Sequence, residues 1–309
     1  MPDFTHPFIT VVIPTYNRLA LVQQAVASVV AQTFSNWELI VADDGSDDGT
    51  PEFIRSLKDP RIRVLEMQHS GNIAVARNSG VRAGSGEWVT FLDSDDLWIP
   101  QKLEIQVLRM LKEKKRWGYG RFELMDPDLQ TIPFKAGTFR PVSGWIAKEV
   151  LTTEASVNIG TLILERSLFD EAGGFNSDVN LLYREDYELV LRLSLIAETF
   201  AIPELLLRVR EHTGRATNKF EHGHEQTAFV YEHFIKSKPK TELAKIARRR
   251  FAAELTEASV QDIRKRSYIQ AIRKLGIALV KGDNFRHLLS AVRRGFFGPG
   301  FLPKDGLFL

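Results

Sequence analysis

Three short polar segments hold most of the side chains in this sequence that could do chemistry. They read Pro-Thr-Tyr-Asn-Arg at 14–18, Asp-Asp-Gly-Ser-Asp-Asp-Gly-Thr at 43–50 and Asp-Ser-Asp-Asp at 93–96. Asp-Gly-Ser and Asp-Gly-Thr sequences are also common in turns and helix caps, so one segment alone could be purely structural. Turn formation is a poor explanation of all three together, because carboxylates, hydroxyls or an amide recur in three separate segments.

The segment Asp93-Ser94-Asp95 predicts a metal site. If the alternation of a strand continues through it, the carboxylates of Asp93 and Asp95 point to the same side. Carboxylate oxygens suit Mg²⁺ or Mn²⁺, which keep bound water and share their coordination with substrate phosphates. Such an ion would neutralise the charge that develops on a diphosphate leaving group. Asp96 is either a further ligand or a cap of the next helix.

The elements that must position these segments are the strands of a parallel sheet. Short runs of apolar and β-branched residues predict buried strands at Phe8–Ile13, Leu39–Ala42, Ile62–Leu65 and Trp88–Leu92. Apolar residues at helical spacing lie between them, at 21–29, 51–57 and 73–83. This alternation predicts right-handed βαβ crossovers with helices on both faces of the sheet. Ligands bind at the carboxyl ends of such strands, which is where all three polar segments lie.

The remainder of the chain is less regular. The pattern predicts a helix at 103–115, a loop or hairpin region at 120–145, a strand at 161–164 and a helix at 187–196. From Glu225 onward the spacing is mostly helical.

Composition excludes several classes of protein. The chain has 309 residues, of which 44% are hydrophobic and 26% are charged, as in ordinary globular proteins. It has no cysteine, which excludes disulfides, thiolate metal sites and a cysteine nucleophile. It has neither an apolar run long enough to span a bilayer nor a basic and apolar leader at residues 1–10. We therefore expect a soluble, cytoplasmic protein.

Charge is divided unevenly along the chain. Residues 236–309 contain 17 lysines and arginines but 6 acidic residues, whereas the formal net charge of the whole chain is +2. A basic tail of helices with apolar stripes could lie on an anionic membrane surface. Alternatively, the stripe could pack on the rest of the chain or on a second subunit, as in a homodimer. The acidic body argues against nucleic acid as a partner, because that affinity comes mainly from neutralising phosphates.

With these motifs the sequence resembles the family 2 glycosyltransferases, which have the GT-A fold. The resemblance covers about residues 7–215 and includes further positions in the right order: Gly71-Asn72, Ala76-Arg77-Asn78, Gly80, Gly173-Gly174-Phe175, Glu185-Asp186, Leu189 and Arg192. It implies an α/β fold, Rossmann-like, with a mixed and mostly parallel sheet flanked by helices and a helical C-terminal extension. Residues 1–110 would be the half that binds the nucleotide sugar, 111–225 the acceptor-binding and catalytic half, and 226–309 the basic helical region.

The resemblance also implies roles for single residues. Asp186 would be the general base, with Glu185 beside it as support or substitute. Asp95 would be the direct ligand of Mn²⁺ or Mg²⁺, joined by Asp93 and by His212, although an ordinary polar loop explains His212 equally well. The residues that would bind the nucleotide sugar lie near its base, ribose or diphosphate: Pro14, Thr15, Tyr16, Asn17, Asp43, Asp44, Arg77, Asp93 and Ser94.

The implied base contact limits the choice of nucleotide. Tyr16 would lie beside the base, and Asp44, with or without Asp43, would accept a hydrogen bond from its edge. Uracil, thymine and guanine have a ring N–H that can donate to a carboxylate, whereas cytosine has none. The contact leaves UDP, dTDP and GDP as candidates, and UDP is the nucleotide that we expect.

The implied reaction is a single in-line displacement that inverts the anomeric carbon. The sequence lacks the Gln-x-x-Arg-Trp motif and the membrane spans of the family's polysaccharide synthases. It therefore predicts a bacterial enzyme that transfers one sugar, without processivity, to a hydroxyl of a glycan or lipid-linked acceptor. We expect it to act in cell-surface polysaccharide biosynthesis, at the inner face of the plasma membrane. The alternative is a non-catalytic GT-A-like scaffold protein with a membrane-associating basic tail.

Overall fold

Strands and helices alternate through the first hundred residues, as the apolar periodicity predicts. The computed structural model describes residues 7–132, 140–212, 223–237, 239–281 and 285–297. It divides the chain into two compact units, residues 1–218 and 219–309. The predicted boundaries at residues 110 and 225 stay predictions.

Four parallel strands form the first part of the sheet, in the order β3-β2-β1-β4. Every residue of β1 and β2 is buried, which explains why both faces of these strands are apolar. The connecting helices cover the sheet and place each loop that follows a strand at the same edge. The bounds of these elements are β1 Ile9–Thr15, α1 Leu19–Val30, β2 Trp37–Asp43, α2 Thr50–Ser56, β3 Ile62–Glu66, α3 Ile73–Ala83 and β4 Trp88–Phe91.

The sheet continues from β4 through strands of mixed direction, in the order β8-β6-β9-β5, with β7 paired to β6. β8 is antiparallel to β4, whereas β6 and β9 are parallel to each other. The bounds in this region are β5 Leu97–Trp98, α4 Lys102–Glu113, β6 Trp117–Met125, β7 Thr131–Ile132, α5 Ala147–Leu151, β8 Ile163–Glu165, α6 Arg166–Glu171, α7 Glu185–Ile196 and β9 Thr199–Arg210. The predicted α/β class with a mixed, mostly parallel sheet and a helical C-terminal region is confirmed.

Strands β6 and β9 are the main elements that the sequence did not predict. β6 extends into the region predicted as loop or hairpin, and it contains Gly118 and Gly120, which disfavour strands. The structure explains both glycines, because Phe200 and Leu206 of β9 occupy the space that a Cβ atom would need. Packing between these two strands therefore outweighs their local propensity.

The C-terminal unit consists of helices in its described part: α8 Gly223–Lys236, α9 Thr241–Arg264, α10 Tyr268–Lys281 and α11 Phe285–Phe297. Its small core joins Ala252 of α9, Ala278 of α10 and Leu288 of α11. Within the described residues, every helix is too short or too polar to cross a membrane.

Candidate active site

The ends of β1 and β2 bring the first two polar segments together. Asn17, which has a φ of +47°, connects them. Its backbone N–H donates to Ser46 Oγ at 2.9 Å, and its Oδ1 accepts from the N–H of Asp47 at 2.9 Å. The structure therefore gives Asn17, predicted to bind the nucleotide sugar, a contact that holds the two loops in place.

Two buried oxygen atoms at these strand ends lack a hydrogen-bond partner within the described residues. Thr15 and Asp43 are opposite each other in the register of β1 and β2. Asp43 Oδ2 accepts from the N–H of Ser46 at 2.9 Å, but Asp43 Oδ1 and Thr15 Oγ1 are both unsatisfied. A buried polar atom left unpaired costs about 1–3 kcal/mol, so two of them at paired strand ends make this edge of the sheet a candidate site for a polar ligand.

The adjacent residue Asp44 has a different environment. Its carboxylate accepts from the N–H groups of Ser70 and Gly71, each at 2.9 Å, and from Ser70 Oγ at 2.8 Å. Gly71 has a φ of +65°, a conformation that other residues adopt at a cost. Asp44 therefore holds the 69–71 loop in place. The base contact implied for Asp44 stays a prediction, but Asp43 has the unsatisfied oxygen.

Tyr16 and His69 form a stacked pair beside these carboxylates. Their ring centroids are 4.0 Å apart with an angle of 23° between the planes, and Tyr16 is 43% exposed. His69 Nδ1 also lies 3.0 Å from Asp44 Oδ2. His69 was not among the predicted site residues, although its position just before Gly71-Asn72 was a usable signal.

The segment Asp93–Asp96 forms a turn rather than a continuation of the strand. β4 ends at Phe91, and the N–H of Asp96 donates to the carbonyl of Asp93 at 3.1 Å. Because strand alternation does not apply in a turn, the carboxylates of Asp93 and Asp95 make different contacts. Strand alternation therefore cannot support the expectation that both carboxylates face one point, and their convergence stays a prediction. Ser94, between them, is buried.

Asp95 contacts the end of β9, far along the chain. Asp95 Oδ2 lies 3.1 Å from His212 Nε2 and accepts from Arg18 Nη1 at 2.8 Å. Arg210, the last residue of β9, holds the turn through its Nε, which donates to the carbonyl of Asp95 at 2.9 Å. The structure therefore brings together two predicted metal ligands that are 117 residues apart, and it adds Arg18 and Arg210, which sequence reasoning did not assign.

These side chains fit a divalent ion that is shared with a substrate. A carboxylate and an imidazole are acceptable ligands for Mn²⁺, and carboxylates also suit Mg²⁺. Within the described residues, no group of three or more acidic or histidine side chains forms a complete metal site. Asp95 and His212 would supply two ligands, so diphosphate oxygens and water would have to supply the others.

Arg77 joins the third polar segment to the start of α7. Its Nη2 donates to Asp93 Oδ1 and its Nη1 to Glu185 Oε1, both at 2.6 Å. Burial opposes the charge of Arg77, but the carboxylates of Asp93, Glu185 and Asp186 outweigh it and raise the pKa of its guanidinium. Both terminal nitrogens bind protein carboxylates, so the implied role of Arg77 toward the base or diphosphate stays a prediction.

Glu185 and Asp186 lie in the first turn of α7. Burial raises the pKa of Glu185 to about 7, and the neighbouring Asp186 adds to the rise while Arg77 opposes it. Burial also raises the pKa of Asp186. Three carboxylates share one buried guanidinium here, so the excess negative charge favours protonation. A carboxylate with a pKa nearer to neutral is a better proton acceptor at neutral pH than one exposed to water.

Several further motif residues fix the loop that precedes α7. Asn78 of α3 exchanges hydrogen bonds with the backbone of Phe175, its Oδ1 accepting at 2.9 Å and its Nδ2 donating at 2.8 Å. Arg192 donates to the carbonyl of Gly174 at 2.8 Å. Gly174 has a φ of +69°, and a Cβ there would lie 2.8 Å from Asn78 Oδ1. The loop before α7 is therefore bound to α3, the helix that contains Arg77.

Comparison with known proteins identifies similar chains. The family described as Glycosyl transferase family 2 matches residues 10–142. The UDP-Glc:alpha-D-GlcNAc-diphosphoundecaprenol beta-1,3-glucosyltransferase WfgD of Escherichia coli is 32% identical over 185 residues, which are 60% of this chain and 69% of WfgD. The putative teichuronic acid biosynthesis glycosyltransferase TuaG of Bacillus subtilis is 32% identical over 248 residues, 75% of this chain and 92% of TuaG.

Solved structures also resemble this chain. S. aureus TarS 1–349 in complex with UDP-GlcNAc superposes with a TM-score of 0.66, and the match covers 93% of this chain and 91% of the TarS chain. At 16% sequence identity the likeness shows the fold alone, and it confirms the predicted GT-A fold.

Proposed function

The chain belongs to glycosyl transferase family 2, and from that premise we propose that it transfers one sugar from UDP-sugar to a hydroxyl of a lipid-linked glycan in cell-surface polysaccharide synthesis. The predicted family and enzyme class are confirmed. The observation that carries the finer proposal is the pair of 2.6 Å contacts by which Arg77 joins Asp93 to Glu185. They bring the third polar segment, which follows the parallel strands, next to the acidic start of α7.

The unsatisfied atoms at the ends of β1 and β2 support a uracil base. A ring N–H of uracil would donate to Asp43 Oδ1, and a uracil carbonyl would accept from the Thr15 hydroxyl, so both atoms would be satisfied. The stacked rings of Tyr16 and His69 provide a flat surface beside them. The similar protein WfgD agrees with this choice, since its name specifies UDP-Glc as the donor.

We propose that the negative charge of the leaving diphosphate is neutralised beside Asp95. Asp95 and His212 would hold Mn²⁺ or Mg²⁺ together with the diphosphate, and the bound ion would supply electrostatic stabilisation of the departing nucleotide. Arg18, at 2.8 Å from Asp95, places a second positive charge at the same point. Asp93 is held by Arg77, which leaves it near this region as a ribose contact or an outer partner of the ion.

Asp186 is the proposed general base. Its carboxylate would accept the proton of the acceptor hydroxyl as that oxygen attacks the anomeric carbon opposite the diphosphate, which inverts the carbon's configuration. The pKa of Asp186 is raised by burial, which makes the ionised form a stronger base. Glu185 is held by Arg77 at 2.6 Å and would position Asp186 rather than take the proton itself.

The proposed acceptor is a lipid-linked sugar. Because such an acceptor lies in the membrane, we propose that the enzyme acts at the inner face of the plasma membrane. WfgD, by its printed name, uses a sugar linked to diphosphoundecaprenol. The basic helices of residues 226–309 would provide the membrane contact. A homodimer stays a prediction.

Calorimetric titration with UDP, GDP, dTDP and CDP, with and without Mn²⁺, tests the donor site. We expect UDP to bind and Mn²⁺ to strengthen its binding. The bound nucleotide then selects sugars for a transfer assay with GlcNAc-diphosphoundecaprenol as the first acceptor. A folded protein that binds none of the four nucleotides would contradict the proposal and favour the non-catalytic scaffold.

A further inference from the structure

The outward face of α10 is apolar, although it belongs to a helix at the surface of its unit. Ala271 and Ala278 of α10 are buried. On the opposite side, Ile269, Ile272 and Val280 are 82%, 69% and 83% exposed. Their spacing of three and eight residues, with Gly276 between them, places them in one stripe along the helix. Isolated exposed apolar residues are common, but a continuous stripe of them indicates a binding surface.

Positive charge surrounds this stripe. Arg273 and Lys281 on α10 are exposed, and Arg264 and Arg266 are exposed just before the helix begins. Several acidic residues of the same unit are already paired with cations: Asp262 with Lys274 at 2.6 Å, Glu254 with Arg250 at 4.0 Å and Glu257 with Arg294. The charge around the stripe is therefore predominantly positive.

An aromatic pair lies at one end of the stripe. The rings of Tyr268 and Phe296 stack with centroids 5.7 Å apart and an angle of 11° between their planes. Both side chains are exposed. Aromatic side chains are enriched at the boundary between lipid headgroups and acyl chains, and a tyrosine there keeps its hydroxyl in water.

We propose that α10 docks on an anionic lipid bilayer, lying in the interface with Ile269, Ile272 and Val280 among the upper acyl chains. An apolar face flanked by Arg and Lys is the pattern of a helix that lies on a membrane. Each basic residue near an anionic surface strengthens binding about fivefold. A second copy of this chain is a poorer occupant, because residues 236–309 contain 17 basic and 6 acidic residues and two such regions repel each other.

The inference rests on the proposed function, because docking on a membrane would bring the enzyme to a lipid-linked acceptor. The test of docking needs neither donor nor acceptor, so docking and sugar transfer can each be refuted without the other. The experiment is flotation of the full-length chain with vesicles of phosphatidylcholine alone or of equal parts phosphatidylcholine and phosphatidylglycerol. We expect binding to the anionic vesicles and its loss at high salt, as charge screening requires.

Two variants and a matched control locate the contact. Ile269→Glu with Ile272→Glu should lower binding to anionic vesicles by at least about tenfold, because two apolar side chains no longer enter the bilayer. Arg273→Gln with Lys281→Gln should lower it by about tenfold or more. Leu108→Glu, at an exposed position of α4 in the other unit, should leave it unchanged. Nucleotide binding and helix content should be the same in all of these proteins.

Three results would overturn the inference. The first is absence of wild-type binding to the anionic vesicles, and the second is binding that the isoleucine variant leaves intact. The third is a wild-type dimer in sedimentation that the isoleucine variant dissociates, without vesicle binding by either protein. That result would assign the α10 face to a second copy of the chain.

Discussion

Replacing Arg77 by glutamine should destabilise the protein more than removal of any exposed arginine. Arg77 is buried and makes its two charge-assisted hydrogen bonds, both at 2.6 Å, with Asp93 and Glu185. Removing one partner of a buried ion pair leaves the other charge unpaired and costs about 3–5 kcal/mol. The Glu185 carboxylate is nearly as buried as Arg77, so the free energy of unfolding should fall by an amount in this range.

The loss should depend on pH, and its sign follows from the pKa of Glu185. Burial raises that pKa to about 7, above the ordinary value of a glutamate, so the folded state holds a proton that the unfolded state releases. In the wild type, the tighter binding of this proton by the folded state stabilises the protein at acid pH, and that stabilisation is lost as pH rises toward 7. Arg77 lowers the pKa of Glu185, so without Arg77 the pKa of Glu185 should lie further above its ordinary value. The Arg77→Gln loss should therefore be greater at about pH 8 than at about pH 5.

Urea unfolding of the wild type and variant at both pH values measures this loss. The matched control is Arg55→Gln, which removes a guanidinium from exposed pairs with Glu52 and Glu66. Exposed pairs contribute little, so the control should change stability slightly and equally at both pH values. A loss no greater than that of the control, or one that is greater at acid pH, would refute the reasoning.

A double-mutant cycle separates the ion pair from simple loss of packing. Glu185→Gln removes the unpaired charge that Arg77→Gln leaves behind, so the double variant should be more stable than additivity predicts. The Asp93 contact remains broken in the double variant, so recovery should be partial. Additive losses would show that Arg77 and Glu185 act independently.

Three further predictions concern nucleotide binding and transfer. Asp186→Asn should lower the transfer rate by about 10²–10⁴-fold while calorimetry shows unchanged UDP affinity; full activity would assign the base to Glu185 or another residue. Asp43→Asn should weaken UDP binding by about 1–3 kcal/mol, whereas Asp44→Asn should act mainly through the 69–71 loop. Asp95→Asn should abolish the increase in UDP affinity on adding Mn²⁺, and an increase that persists would exclude Asp95 as a ligand.

The parallel part of the sheet could be predicted from the sequence because its physical signal is local. A strand covered on both faces needs apolar residues at every position, and β1 and β2 are buried throughout. The pairing of β6 with β9 could not be predicted in this way. It depends on Gly118 and Gly120 fitting against Phe200 and Leu206, residues about 80 positions further along the chain. Each glycine and its large neighbour come into contact only in the folded chain, so the sequence pattern does not indicate the pair.

The same limit explains which site residues the sequence could identify. The resemblance pointed to the ends of particular strands, but residue type cannot distinguish adjacent aspartates such as Asp43 and Asp44. Their difference arises from geometry: Asp43, the last residue of β2, keeps one buried oxygen without a partner, whereas Asp44 accepts three hydrogen bonds from the 69–71 loop. Because Asp43 has the oxygen that still lacks a donor, whereas Asp44 is engaged by the 69–71 loop, we propose Asp43 rather than Asp44 as the base contact.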